Sequence, residues 1–70
     1  MDEVYLKKGK GESLKRFHPW VFSGAVEKIV TDGNLKEGDV VEVYSSHREF
    51  MGIGHYQVGS IAVRILSFTR

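Results

Sequence analysis

Only one stretch of this chain, between Gly11 and Pro19, reads as helix, and it has room for one turn or two. Leu14 and Phe17, three apart, would share its buried side. Lys15 and Arg16 would point to solvent, and Glu12 would sit at the favourable end of the helix dipole. Pro19 stops the helix because the residue before a proline, here His18, is pushed toward extended geometry. A parallel βαβ unit needs a crossover of a dozen residues or more, usually helical. That topology is therefore excluded, and the remaining chain must find its structure in strands.

Five strand-like segments follow one another at roughly ten-residue spacing. Val4 to Leu6 opens the chain, and Gly9 and Gly11 interrupt it. Trp20 to Val30 reads as one long strand in which Gly24 marks a bulge or a sharp bend. Turn-forming residues at Thr31 to Asn34 and at Lys36 to Gly38 precede a strand from Asp39 to Ser45, with Val41 and Val43 on one face and Glu42 on the other. Ser45 to Arg48 turns the chain into Glu49 to Gln57, where Gly52 and Gly54 share a face and let another backbone or a ring cross it closely. The last strand, Ser60 to Phe68, has apolar residues on both faces and so belongs inside the sheet. The pattern predicts a mainly β (α+β) fold, a strongly bent barrel or half barrel of five or six strands with one short helix near the N-terminus. Trp20, Phe22, Val41, Val43, Ile53, Ile61, Val63 and Ile65 are expected to form its core.

Size excludes whole classes of function. A 70-residue chain buries only about 60% of the surface it exposes when unfolded, and it cannot enclose a dinucleotide or S-adenosylmethionine by itself. With 41% hydrophobic and 27% charged residues it has the composition of an ordinary soluble globular domain. No apolar run is long enough to span a bilayer or to serve as a signal peptide, so no membrane partner and a cytoplasmic location are expected. The absence of cysteine removes disulfides, thiolate metal sites and cysteine nucleophiles. His18, His47 and His55 lack metal-ligand spacing. No Gly-x-Ser-x-Gly elbow is present, and the Gly-x-Gly pairs at 9/11 and 52/54 lack the rest of a phosphate-binding signature. The chain is not expected to be an enzyme on its own, or to hold a metal or cofactor.

The net charge of +1 hides a segregation. Residues 1–20 carry five Lys/Arg against three acids, residues 21–54 three against six, and residues 55–70 two against none. If the ends meet in space, they form one positive face. Clustered cations on a rigid element are what a polyanion requires, since each neutralised phosphate releases counterions. A lysine-rich edge can equally be a solvated face that discourages strand-edge association. Arg64, inside an apolar strand, must either pair with an acid or reach the surface.

The run Lys15-Arg16-Phe17-His18-Pro19-Trp20-Val21-Phe22-Ser23-Gly24-Ala25-Val26, with Leu6-Lys7-Lys8-Gly9-Lys10 and Ser13-Leu14 before it, resembles one family. That family is the N-terminal PUA domain of bacterial S-adenosylmethionine-dependent large-subunit (23S) ribosomal RNA methyltransferases of the cytosine-C5 group. Gly38-Asp39-Val40-Val41, Gly52-Ile53-Gly54-His55-Tyr56, Ser60-Ile61 and Val63-Arg64 extend the resemblance over nearly the whole chain. Gln57-Val58-Gly59-Ser60 departs from it by lacking a proline common in relatives. The resemblance implies a PUA-type pseudobarrel that holds RNA while a separate C-terminal domain binds S-adenosylmethionine and carries the catalytic cysteines. It also implies that residues 1–70, ending directly after a strand, are a piece of such an enzyme.

The RNA-binding residues expected are Lys8, Lys10, Lys15, Arg16, His18, Ser23, Gly24 and Arg64. The partners expected are ribosomal RNA and the protein's own methyltransferase domain, with a homodimer of the parent left open. The rival expectation is a docking domain that packs on the catalytic domain or a second subunit and touches RNA little.

Overall fold

A computed structural model of the chain describes residues 1–10 and 18–69. The helix expected between Gly11 and Pro19 falls almost entirely outside the described residues. Among the described residues six strands form one sheet: β1 (Asp2–Leu6), β2 (Trp20–Phe22), β3 (Val26–Val30), β4 (Val40–Tyr44), β5 (Phe50–Tyr56) and β6 (Ile61–Ser67). Their spatial order is β2-β6-β5-β4-β1-β3. The segment Trp20 to Val30, expected as one strand, is two strands separated by a 3-10 turn, Ser23–Ala25. Gly24 lies in that turn, so the bend anticipated there is real and sharp enough to end pairing altogether.

That turn joins the two outermost strands of the sheet, β2 and β3. Laid flat, six strands about 4.8 Å apart would hold their outer edges about 24 Å from each other. A 3-10 turn advances only about 2 Å per residue. The sheet must therefore curl until its edges approach, and register shifts between Tyr5 and Leu6, Val21 and Phe22, Val43 and Tyr44, and Ile53 and Gly54 supply the bending. All pairings are antiparallel except β1 with β4, which are parallel. The connection between those two includes β2 and β3.

The concave side encloses the core: Val4, Leu6, Val21, Val41, Val43, Ala62, Val63 and Ile65 are buried. Val41, Val43, Val63 and Ile65 behave as expected from sequence. Trp20 and Phe22 do not, being 40% and 49% exposed. Side chains alternate along a strand, so Trp20 and Phe22 share one face of β2 and Val21 takes the other. Val21 faces inward, 2% exposed, opposite Val63. Ile61 is half-buried because the register slips between Val21↔Val63 and Phe22↔Ile61, which brings Ala62 inward beside Val63. Ile53 is half-buried for another reason. It stands opposite Glu42 on the outer side, while Gly52 and Gly54 face the interior opposite Val43 and Val41.

Those two glycines let β5 and β6 cross closely. A Cβ on Gly54 would come within 2.3 Å of the Arg64 carbonyl oxygen, and one on Gly52 within 3.1 Å of the Ser67 carbonyl oxygen. On the outer side, Tyr5 stacks on Tyr44 with centroids 5.3 Å apart, and Lys28 Nζ lies 5.1 Å from the Tyr5 ring centroid. The Tyr5 hydroxyl donates to Glu3 Oε1 at 3.0 Å, and Tyr44 donates likewise to Glu42 Oε1 at 3.2 Å. These bonds relieve two carboxylates that face each other directly across the β1–β4 pair.

Two measurements check this account. Gly54→Ala should cost about 2 kcal/mol or more, since its methyl meets backbone that cannot yield, whereas Gly24→Ala, with open space around its Cβ position, should stay within about 0.5 kcal/mol; urea unfolding reads both. The bond to Glu3, with smaller contributions from burial and that carboxylate's charge, raises the Tyr5 pKa above its ordinary value. The stabilisation from that proton is complete below the unfolded-state pKa, about 10, and is lost as pH rises through the higher folded-state value. Stability of the wild-type chain should accordingly fall more steeply than that of Tyr5→Phe across alkaline pH, and equal slopes would contradict the assignment.

Candidate nucleic-acid interface

The site begins at the end of β1, where the chain turns through Lys7 to Lys10. The Lys10 amide donates to the Lys7 carbonyl at 3.0 Å, and Gly9 takes φ +80°, a conformation that side-chain-bearing residues adopt at a cost. The Lys7 amide donates to the Ala25 carbonyl at 2.9 Å, fixing this turn against the end of the Ser23–Ala25 turn. Lys8 and Lys10 are both exposed on it. Lys10 also lines a cleft of about 350 Å³ with Leu6, Trp20, Val21, Phe22, Gly24 and Ala25. Leu6 and Val21 are its apolar floor, and the exposed rings of Trp20 and Phe22 stand at its side.

β2 sits at the edge of the sheet, with β6 as its strand partner among the described residues. The Ile65 amide donates to the Pro19 carbonyl at 2.6 Å, and the Ser23 amide to the Ser60 carbonyl at 2.8 Å. Ser23 Oγ also donates to the Gly59 carbonyl. The Ser23 side chain is thereby engaged in clamping β2 to the loop between β5 and β6. Gly24, next to it, leaves the cleft margin without a side chain.

Three exposed rings gather at this edge. His18 lies 6.0 Å from Trp20 and 6.4 Å from Phe22, and Trp20 and Phe22 meet edge to face at 6.5 Å. The Trp20 amide donates to His18 Nδ1 at 3.4 Å. Arg64 is the cross-strand neighbour of Trp20 on β6 and, on its other side, of His55 on β5. It points outward, and no ion pair joins it to a carboxylate among the described residues. A cation in this position keeps its full charge for a partner, and a flat ring beside it offers a stacking surface.

Lys10 and Arg64 thus each stand beside Trp20, one across the cleft and one across the strand pair. Lys15 and Arg16, also expected at this site, lie outside the described residues. Sequence reasoning missed Trp20 and Phe22 as surface rings, and Leu6, Val21 and Ala25 as walls of the cleft. Their shared parity on a short strand was visible; the face they occupy was not. Among the described residues, no group of three or more His, Asp or Glu is placed to hold a metal ion, and no helix is long and apolar enough to cross a membrane.

Comparison with known proteins agrees with this architecture. The chain is 44% identical over 68 residues to ribosomal RNA large subunit methyltransferase I of Pseudoalteromonas atlantica and 35% identical over 68 residues to the protein of that name from Aliivibrio fischeri. In both, the match covers 96% of this chain and 17% of the relative. The Vibrio cholerae protein of the same name is 41% identical over 66 residues, covering 93% of this chain and 16% of its own length. The chain therefore spans about a sixth of the length of these relatives. Residues 4–68 match the family model described as a PUA-like domain, and the chain belongs to that family.

Proposed function

We propose that the chain is the RNA-binding module of an S-adenosylmethionine-dependent ribosomal RNA methyltransferase of the cytosine-C5 group. The observation that carries this reading is Arg64, exposed and without an ion-pair partner among the described residues, standing beside the exposed Trp20. Arg64, Lys8 and Lys10 contact phosphates, with Lys15 and Arg16 completing the set. His18 and the exposed backbone at Gly9 and Gly24 let the strand approach RNA closely, and Ser23 holds that strand in place. Methyl transfer takes place elsewhere in the parent. The donor and the catalytic cysteines belong to a separate domain, and a sequence with no cysteine has no thiol to offer. The proposed setting is the cytoplasm.

One observation favours the rival reading. Phe22, Val40 and Leu66 are exposed at 49%, 41% and 59%. Exposed apolar residues of this kind suit a protein surface, either the catalytic domain of the same polypeptide or a second copy of it. Salt separates the two readings. On the RNA reading, log affinity for a single-stranded RNA should fall with log salt by about 0.7 per phosphate neutralised. Arg64→Glu should weaken binding by about tenfold, or 1.4 kcal/mol, and flatten that slope, with thermal stability retained. A salt-insensitive chain indifferent to Arg64→Glu would favour docking instead.

A further inference from the structure

We infer that the cleft beside the edge strand β2 receives a single unpaired nucleotide, with its base against Trp20 and Phe22 and its phosphate toward Lys10. The inference rests on the RNA-binding reading above and narrows it to RNA that presents a base outside a helix.

The cleft has the dimensions and chemistry for such a guest. At about 350 Å³ it falls in the range of small-ligand sites, roughly 300 to 1,000 Å³. Among the described residues its lining is apolar or aromatic except for Lys10. A flat ring bearing an anionic group is complementary to that combination. Trp20 and Phe22, nearly perpendicular at 87°, offer one ring face and one ring edge, so a base stacked on the first meets the second side-on. The backbone adds polar groups at the same place. Pro19 and Ser23 pair with the β6 side, so strand alternation turns the peptide groups of Phe22 away from β6, while the Trp20 amide is engaged by His18 Nδ1. Those of Phe22 can hydrogen-bond the edge of a base that is not already paired. Gly24 leaves the entrance open, with nothing within 4 Å of its Cβ position.

Of these groups, duplex RNA would use Lys10 alone. Its bases are stacked and its edges lie in grooves, leaving phosphates and ribose hydroxyls as the accessible groups. An aromatic cleft at the strand edge contributes to binding only if a base leaves the stack to enter it.

Trp20 is the single tryptophan of the chain, so its fluorescence reports occupancy directly. The test uses the full chain and three RNA hairpins that differ at one position: a bulged adenosine, a bulged abasic ribose, and no bulge. The bulged adenosine should quench Trp20 and bind about tenfold more tightly than either control, within the range seen for stacking one base on an aromatic residue. Gly24→Val, with its fold checked by circular dichroism, should bring the adenosine hairpin down to the affinity of the abasic one. Equal, salt-dependent affinity for all three RNAs would overturn the cleft assignment while leaving RNA binding intact. Failure of all three to bind would overturn both. Stronger quenching by an apolar peptide with a free carboxylate than by the adenosine hairpin would overturn the cleft assignment as well.

Discussion

The connection between β2 and β3 is too short for anything but a closed or nearly closed sheet. These strands are the two edges of a six-stranded sheet, yet only Ser23, Gly24 and Ala25 separate them. Curling brings a cost, because each strand must be bent and its ladder interrupted, and the bulges in four of the five pairings meet that requirement. It also fixes which side of every strand is inside. A narrow interior accepts Val, Leu, Ile and Ala and has no room for indole, which is why the middle residue of β2 is Val21 and the large rings stand outside.

A curled sheet with a short edge strand leaves a seam, and the seam is where the chemistry collects. The Lys7–Ala25 bond and the two bonds from Ser23 to the Gly59–Ser60 loop hold both lips of that seam. Bonds on both sides of the cleft restrain its walls, which lowers the ordering free energy lost when something binds. Arg64 reaches the same region from β6 because Gly54 allows β5 and β6 to approach so closely. A single Cβ at Gly54 would move the backbone that carries Arg64. Sheet closure and the placement of a surface cation are thus parts of one packing problem.

Much of this was legible before any coordinates. Alternation gave Val41 and Val43 an inward face, the glycine pair in β5 marked a close crossing, and the apolar character of both faces of β6 placed it inside the sheet, where it lies between β2 and β5. Other features depended on contacts between residues distant in sequence. The parity of Trp20 and Phe22 was plain, but the choice of side was made by Val63 through its pairing with Val21. The parallel β1–β4 pair could not be inferred, because it joins strands separated in the chain by β2 and β3. In the site, Arg64 and Lys10 stood out as charges in the sequence, while the cleft depends on Leu6 meeting β2 across a gap in the chain.

Exposed aromatic rings are unusual in a domain this small. At about 0.05 to 0.15 kcal/mol per residue, a 70-residue chain is stable by roughly 3.5 to 10 kcal/mol, and burying one large apolar side chain contributes about 1.5 to 3 kcal/mol. Leaving both Trp20 and Phe22 half in water forgoes a substantial part of that total. Folding alone gives no reason to keep them there, since a smaller or polar residue on the outer side of an edge strand would serve it as well. Their place beside Arg64, which has no ion-pair partner among the described residues, at the rim of a cleft, is explained if their burial is completed by a partner. A near-neutral net charge is compatible with that role, because recognition at such a seam depends on two or three well-placed cations and a ring surface more than on a long-range field.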